Sequence, residues 1–168
     1  LRVTSRLNIY RHLTSGGRTR QNGANNTMKR IESGIKHIPY TQEAVYNKVS
    51  DLSNLKYLAD RIPEDQRQGI NLENLECTPD KVTTTVSPSG QIEFGVVARE
   101  PFKCVKMETL RSPIKLTLWI QIVSTGDSSC KIKLTADADL NIFMAKMVEK
   151  PLTEAIEKLA DMLSALPY

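Results

Sequence analysis

Few side chains in this 168-residue chain stand where chemistry would need them. Its two histidines, His12 and His37, are far apart, and neither has a second His or Cys at the spacing a zinc site uses. His37 therefore reads as a surface or hydrogen-bonded strand residue, and no metal is expected. Asp137 and Asp139 lie at i,i+2, a spacing at which two carboxylates could divide acid–base work. They alternate, however, with Cys130, Ile132, Leu134 and Ala138, whose apolar side should turn inward, so both acids belong to a solvated face. Ser87-Pro88-Ser89-Gly90 is not followed by a strand-to-helix transition, which makes it a hairpin turn and not a nucleophile elbow. Neither GxGxxG nor GxxxxGK[ST] occurs. No catalytic residue and no cofactor is implied, and the chain reads more as a non-enzyme than as an enzyme.

Cys77, Cys104 and Cys130 are odd in number, widely spaced and without a CxxC pair. They are expected to be buried reduced thiols, which points to a cytoplasmic protein. Trp119 falls on the polar side of its strand-like segment. It could mark a partner-binding patch, but cover by side chains of a neighbouring strand is the preferred reading.

These residues need elements to hold them. The most pronounced is a helix over Asn141 to Leu166, with Met144, Met147, Val148, Leu152, Ile156, Leu159, Leu163 and Leu166 on one face. Lys146, Glu149, Lys150, Glu154, Glu157, Lys158 and Asp161 take the other face, and Pro151 is expected to kink the rod. Upstream, residues 30–38 read as a strand ended by Pro39, followed by a helix over 42–50 capped by Thr41. A second short helix restarts at Ser53-Asn54, and 63–71 form a polar loop. Strands are then expected at 72–78, 81–87, 91–100, 103–110, 115–124 and 130–140, each with one wet and one dry face. Ile92, Phe94, Val96 and Ala98 alternate against Glu93, Gly95, Val97 and Arg99 in the third of these.

The net charge of +4 is unevenly spread. Residues 1–30 hold seven basic residues and no acid, leaving 16 basic against 19 acidic residues, a charge of −3, over 31–168. A nucleic-acid interface would need a basic, aromatic-rich face, so none is expected. No window approaches 18 apolar residues, so no membrane span is expected either. Residues 1–27 are polar and Gly-rich, and Met28 directly precedes the first strand-like segment. They read as a disordered or non-native leader, or alternatively as an Arg-rich targeting peptide, with the domain over 28–168.

A strand, two short helices, six antiparallel strands and a long closing helix is the element order of the helix-grip fold. Together with the junction Asp51-Leu52-Ser53-Asn54-Leu55, it resembles the START-like (SRPBCC, Bet v 1-like, polyketide cyclase-related) superfamily, especially its small bacterial single-domain members. The resemblance implies an α+β fold, a curved antiparallel sheet of about seven strands wrapped around the last helix. It also implies a cavity between them for a small apolar, aromatic or lipid-like molecule. Candidate lining residues are Phe94, Val96, Val105, Met107, Leu118, Ile120, Leu134, Ile156, Leu159 and Leu163; the competing reading is that they fill the space as core. Binding of such a ligand ranks first among functions. A protein-interaction module with a filled core ranks second. A cyclase or dehydratase using hydroxyls of Tyr46, Tyr57, Thr84 or Thr109 ranks third. Oligomeric state is not legible.

Overall fold

The computed structural model describes residues 26–61, 70–86 and 90–168. The expected loop at 63–71 lies largely outside these residues, as do the leader up to residue 25 and three residues of the turn at 87–90. Gly90 itself has φ +82°, a conformation glycine takes without steric cost.

The chain order is β1 (Asn26–Glu32), β2 (Lys36–Ile38), α1 (Gln42–Val49), α2 (Asn54–Ala59), β3 (Ile70–Cys77), β4 (Lys81–Val86), β5 (Gly90–Glu100), β6 (Cys104–Arg111), β7 (Lys115–Gly126), β8 (Ser129–Asn141) and α3 (Ile142–Ser164). The strands make one curved, eight-stranded antiparallel sheet in the order β1-β8-β7-β6-β5-β4-β3, with β2 also on β8. Short turns make sequence neighbours sheet neighbours from β3 to β8, as the turn residues require.

The expected single strand at 30–38 is two strands on one edge. β1 pairs Asn26 with Asn141 through to Glu32 with Thr135, and β2 pairs Lys36 with Ile132 through to Ile38 with Cys130. The interruption has a physical cause. Buried Ser33 exchanges backbone and side-chain hydrogen bonds with Leu134, its Oγ accepting from the Leu134 N–H at 2.9 Å. The next N–H, of Gly34, turns away from the sheet to donate to Glu157 Oε2 on α3 at 2.9 Å. Pairing also begins at Asn26, two residues before Met28.

α1 carries its expected cap, and α3 has one the sequence reading did not assign. Thr41 Oγ1 accepts from the Ala44 N–H at 3.2 Å, and Asn141 Oδ1 accepts from the Met144 N–H at 2.8 Å. At the junction motif, Asp51 accepts from the backbone and hydroxyl of Ser53, which holds its carboxyl below the usual range. Asn54 ties the new helix back by donating to the Lys48 carbonyl at 3.0 Å. α3 runs unbroken through Pro151, which sits on its exposed side.

The core is one cluster between the sheet and the helices. Val45, Tyr46, Val49 and Leu52 from the first helical region meet Ile38, Ile122, Cys130 and Ile132, while Ile156, Ala160 and Leu163 of α3 lie over β8, β1 and β2. Among the described residues, nineteen buried ones form a single cluster, so one packing event organises the domain.

Candidate ligand-binding site

Register fixes which side chains share the concave face. Val105 opposes Ile120 and Ile120 opposes Leu134; Met107 opposes Leu118 and Leu118 opposes Ala136. Val96 opposes Met107, Phe94 opposes both Thr109 and Val82, and Ile31 opposes Ala136. The seven strand candidates therefore lie on one face of four adjacent strands, with Ile156 and Leu163 of α3 buried against the same core.

Burial along this face decreases toward the same end on β7 and β6, is even on β5, and is complete along β8, where Ala138 and Leu140 are 0% and 1% exposed. On β7, Leu116 is half-buried, whereas Leu118, Ile120 and Ile122 are 6%, 4% and 2% exposed. On β6, Thr109 is half-buried, Met107 buried and Val105 without accessible surface. On β5, Ile92, Phe94 and Val96 are all half-buried. α3 runs from exposed Phe143 and Met147 through half-buried Leu152 to buried Ile156, Ala160 and Leu163, with Leu159 half-buried among the last. One end of the interior, under α1 and the C-terminus, is closed. At the other end, Leu116, Thr109 and Ile92 are only half-buried among the described residues.

The closed end is sealed by specific contacts. Tyr168 packs edge-on against Tyr40, donates its hydroxyl to the Leu163 carbonyl, and lies under the Lys48 ammonium. Burial raises the Tyr168 phenol well above its ordinary pKa. Tyr46 packs edge-on against Phe102, and its phenol is likewise raised by burial.

Among the ten predicted lining residues, Val105 and Leu134 have no accessible surface, Met107, Leu118, Ile120, Ile156 and Leu163 are buried, and Phe94, Val96 and Leu159 are half-buried. Ile92 and Leu116, also half-buried on this face, were not among the predicted residues, although their period-two pattern marks them as inward. The alternation expected through Ala98 and Arg99 is overturned. An irregularity between Val96 and Ala98 shifts the register, so that Arg99, not Ala98, opposes Val105. Arg99 then donates to the Ser50 and Pro79 carbonyls and pairs with Asp80 at 2.7 Å, closing the end of α1. The expected inward stripe of α3 is also corrected at Met147, which is 77% exposed.

Polar groups near the interior are few. Lys29 opposes Ala138 on the inner face and pairs with Glu149 of α3 at 2.8 Å. Thr109 Oγ1 is committed to the Leu116 backbone, accepting from its N–H at 3.0 Å. Tyr57 is exposed and its hydroxyl accepts from Arg61. The four hydroxyls considered for catalysis thus belong to four different elements. Among the described residues no group of three His, Cys, Asp or Glu side chains is placed to hold a metal.

On the outer face, Asp137 is not simply solvated. Arg30 grips it with two 2.7 Å bonds, Nε to Oδ1 and Nη2 to Oδ2. Trp119 lies between the Arg30 guanidinium and the Lys106 ammonium, covered by neighbouring strands as expected. Cys104 and Cys130 are buried and Cys77 half-buried, all as free thiols, and burial pushes Cys104 up to about 11. No helix among the described residues is long and apolar enough to cross a membrane.

No protein-family model and no curated protein matches the chain. Solved structures do. A norcoclaurine synthase from Thalictrum flavum, a point mutant bound to a transition-state analogue, superposes with a TM-score of 0.65 at 19% identity, over 84% of this chain and 95% of that one. A START superfamily protein from Mycobacterium smegmatis gives 0.52 at 17% identity, over 84% and 95% of the two chains. A protein from Thermobifida fusca gives 0.56 at 14% identity, over 80% and 90%. With the sheet order, the paired short helices and the closing helix, these likenesses show that the chain has the START-like (SRPBCC) helix-grip fold.

Proposed function

We propose that this protein binds a small apolar or aromatic molecule between the sheet and α3, entering from the Leu116 end. The reading rests on the half-buried apolar side chains of Ile92, Phe94, Val96, Leu116 and Leu159 beside a fully buried layer on β6, β7 and β8. Phe94, Val96, Ile92, Leu116 and Leu159 would form the walls, with Met107, Leu118, Ile120, Ile156 and Leu163 as the inner layer behind them and Val105 and Leu134 as the floor. Apolar residues left half-buried on a concave face lose most of their hydration when an apolar guest covers them, which favours binding by about 25 cal/mol per Å² removed from water. The like-folded norcoclaurine synthase has been seen with dopamine and hydroxybenzaldehyde, which supports testing aromatic guests. The Lys29–Glu149 pair would offer a polar tip of the guest one orienting group of either sign. No bond chemistry is assigned.

A thermal-shift screen with aromatic and fatty-acid guests tests this. A guest at a hundred times its Kd stabilises by about 2.7 kcal/mol, a rise in midpoint of roughly 5–10 °C. Val96→Trp, which fills the wall, should abolish the shift, whereas Lys131→Ala on the outer face should not. No shift from any guest, or an equal shift in Val96→Trp, would count against the proposal.

A further inference from the structure

The first two turns of α3 are unusual for a helix that closes a core. Ile142, Phe143 and Met147 are 57%, 85% and 77% exposed, and Phe143 and Met147 lie one turn apart on the same face. Lys146 and Lys150 project between and beyond them, both exposed and without an ion-pair partner among the described residues. Glu149 is turned aside to Lys29, so no acid shares this face before Glu154. Although residues 31–168 are net negative, this patch is locally positive and apolar.

The sequence ahead of β1 is basic as well. β1 begins at Asn26, opposite Asn141, the cap of α3. Residues 1–25, with five arginines and no acid, precede Asn26 in the sequence.

We propose that the N-terminal turns of α3 dock on an anionic lipid surface. Ile142, Phe143 and Met147 enter the headgroup–acyl boundary, and Lys146 and Lys150 meet lipid phosphates. Apolar side chains that insert, ringed by lysines that meet phosphate, are the two signals a reversible surface anchor combines. Lysines lower the appeal of this face to another protein's core but raise it for a negative bilayer. The inference stands apart from the binding proposal, because it needs no guest inside the sheet.

The test is co-sedimentation of the full chain with phosphatidylserine–phosphatidylcholine vesicles against pure phosphatidylcholine vesicles. The expected result is binding to the anionic vesicles alone, weakening as salt rises. Phe143→Ser with Met147→Ser should lower partitioning by about tenfold or more, and Lys146→Glu with Lys150→Glu by a similar factor, with melting temperatures unchanged. Equal binding to neutral vesicles, or none to either, would overturn the proposal. So would undiminished binding by the Phe143/Met147 variant, which would assign the attraction to the arginines of 1–25 alone. A dimer in sedimentation equilibrium that the same variant dissolves would give the face to a second copy and overturn it too.

Discussion

Glu157 joins three parts of the structure through one carboxylate. It accepts from the Gly34 N–H and pairs with Lys36, which also reaches Asp161 at 2.7 Å. The Lys36 ammonium and the Gly34 N–H hold the Glu157 carboxyl below its ordinary 4.5, and the two acids hold Lys36 above 10.5. For Glu157 the stabilisation is present above about pH 4.5 and is lost as pH falls through the depressed folded value. For Lys36 it is present below 10.5 and is lost as pH climbs through the raised value. Glu157→Gln should therefore lower the urea midpoint near neutrality and flatten its fall below pH 4.5, whereas an unchanged acid limb would contradict this linkage. Arg30 makes a second test. Its two-bonded grip on Asp137 is only partly screened, and Arg30→Ala should cost about 1–2 kcal/mol in denaturant unfolding. A residue role set by local rules, such as Thr41 as a cap, is legible in the sequence because the bond closes within three residues. Arg30 with Asp137, and Glu157 with Gly34, are separated by more than a hundred residues, and only the assembled fold brings them together.

Among elements, α3 shows how far a hydrophobic pattern carries. The stripe from Met144 to Leu166 identifies a helix and its inward face, because the period of 3.6 is a property of the backbone. It does not reveal where along that stripe a partner surface exists, and the sheet covers the second half of the helix more completely than the first. Ile156→Ala should cost about 2–4 kcal/mol, while Phe143→Ala should stay within about 0.5 kcal/mol of the parent. Equal losses at both positions, measured by chemical denaturation, would refute the graded packing. β5 fails differently. Its alternation reads cleanly through Arg99, but the irregularity after Val96 reverses it, and two adjacent valines on a strand gave no warning. The split between β1 and β2 is likewise invisible locally, since Ser33 and Gly34 are diverted by Leu134 and Glu157.

At the scale of the molecule, the eight strands and α3 enclose an interior closed by Tyr40, Tyr168 and α1 at one end, with half-buried apolar residues near Leu116 at the other. The order of elements was readable because short turns force antiparallel neighbours and a long amphipathic helix must lie on their dry faces. Which inward residues stay half-buried was not readable, because it depends on how completely the curved sheet and the helix cover one another. The most direct test is a methyl NMR titration with naphthalene and dodecanoate as probes. The binding account predicts that the methyl groups of Val96, Leu116 and Leu159 respond at saturating guest while those of Val45 and Ile122 stay fixed. A spectrum in which neither probe moves any methyl, or in which Val45 and Ile122 respond instead, would contradict it.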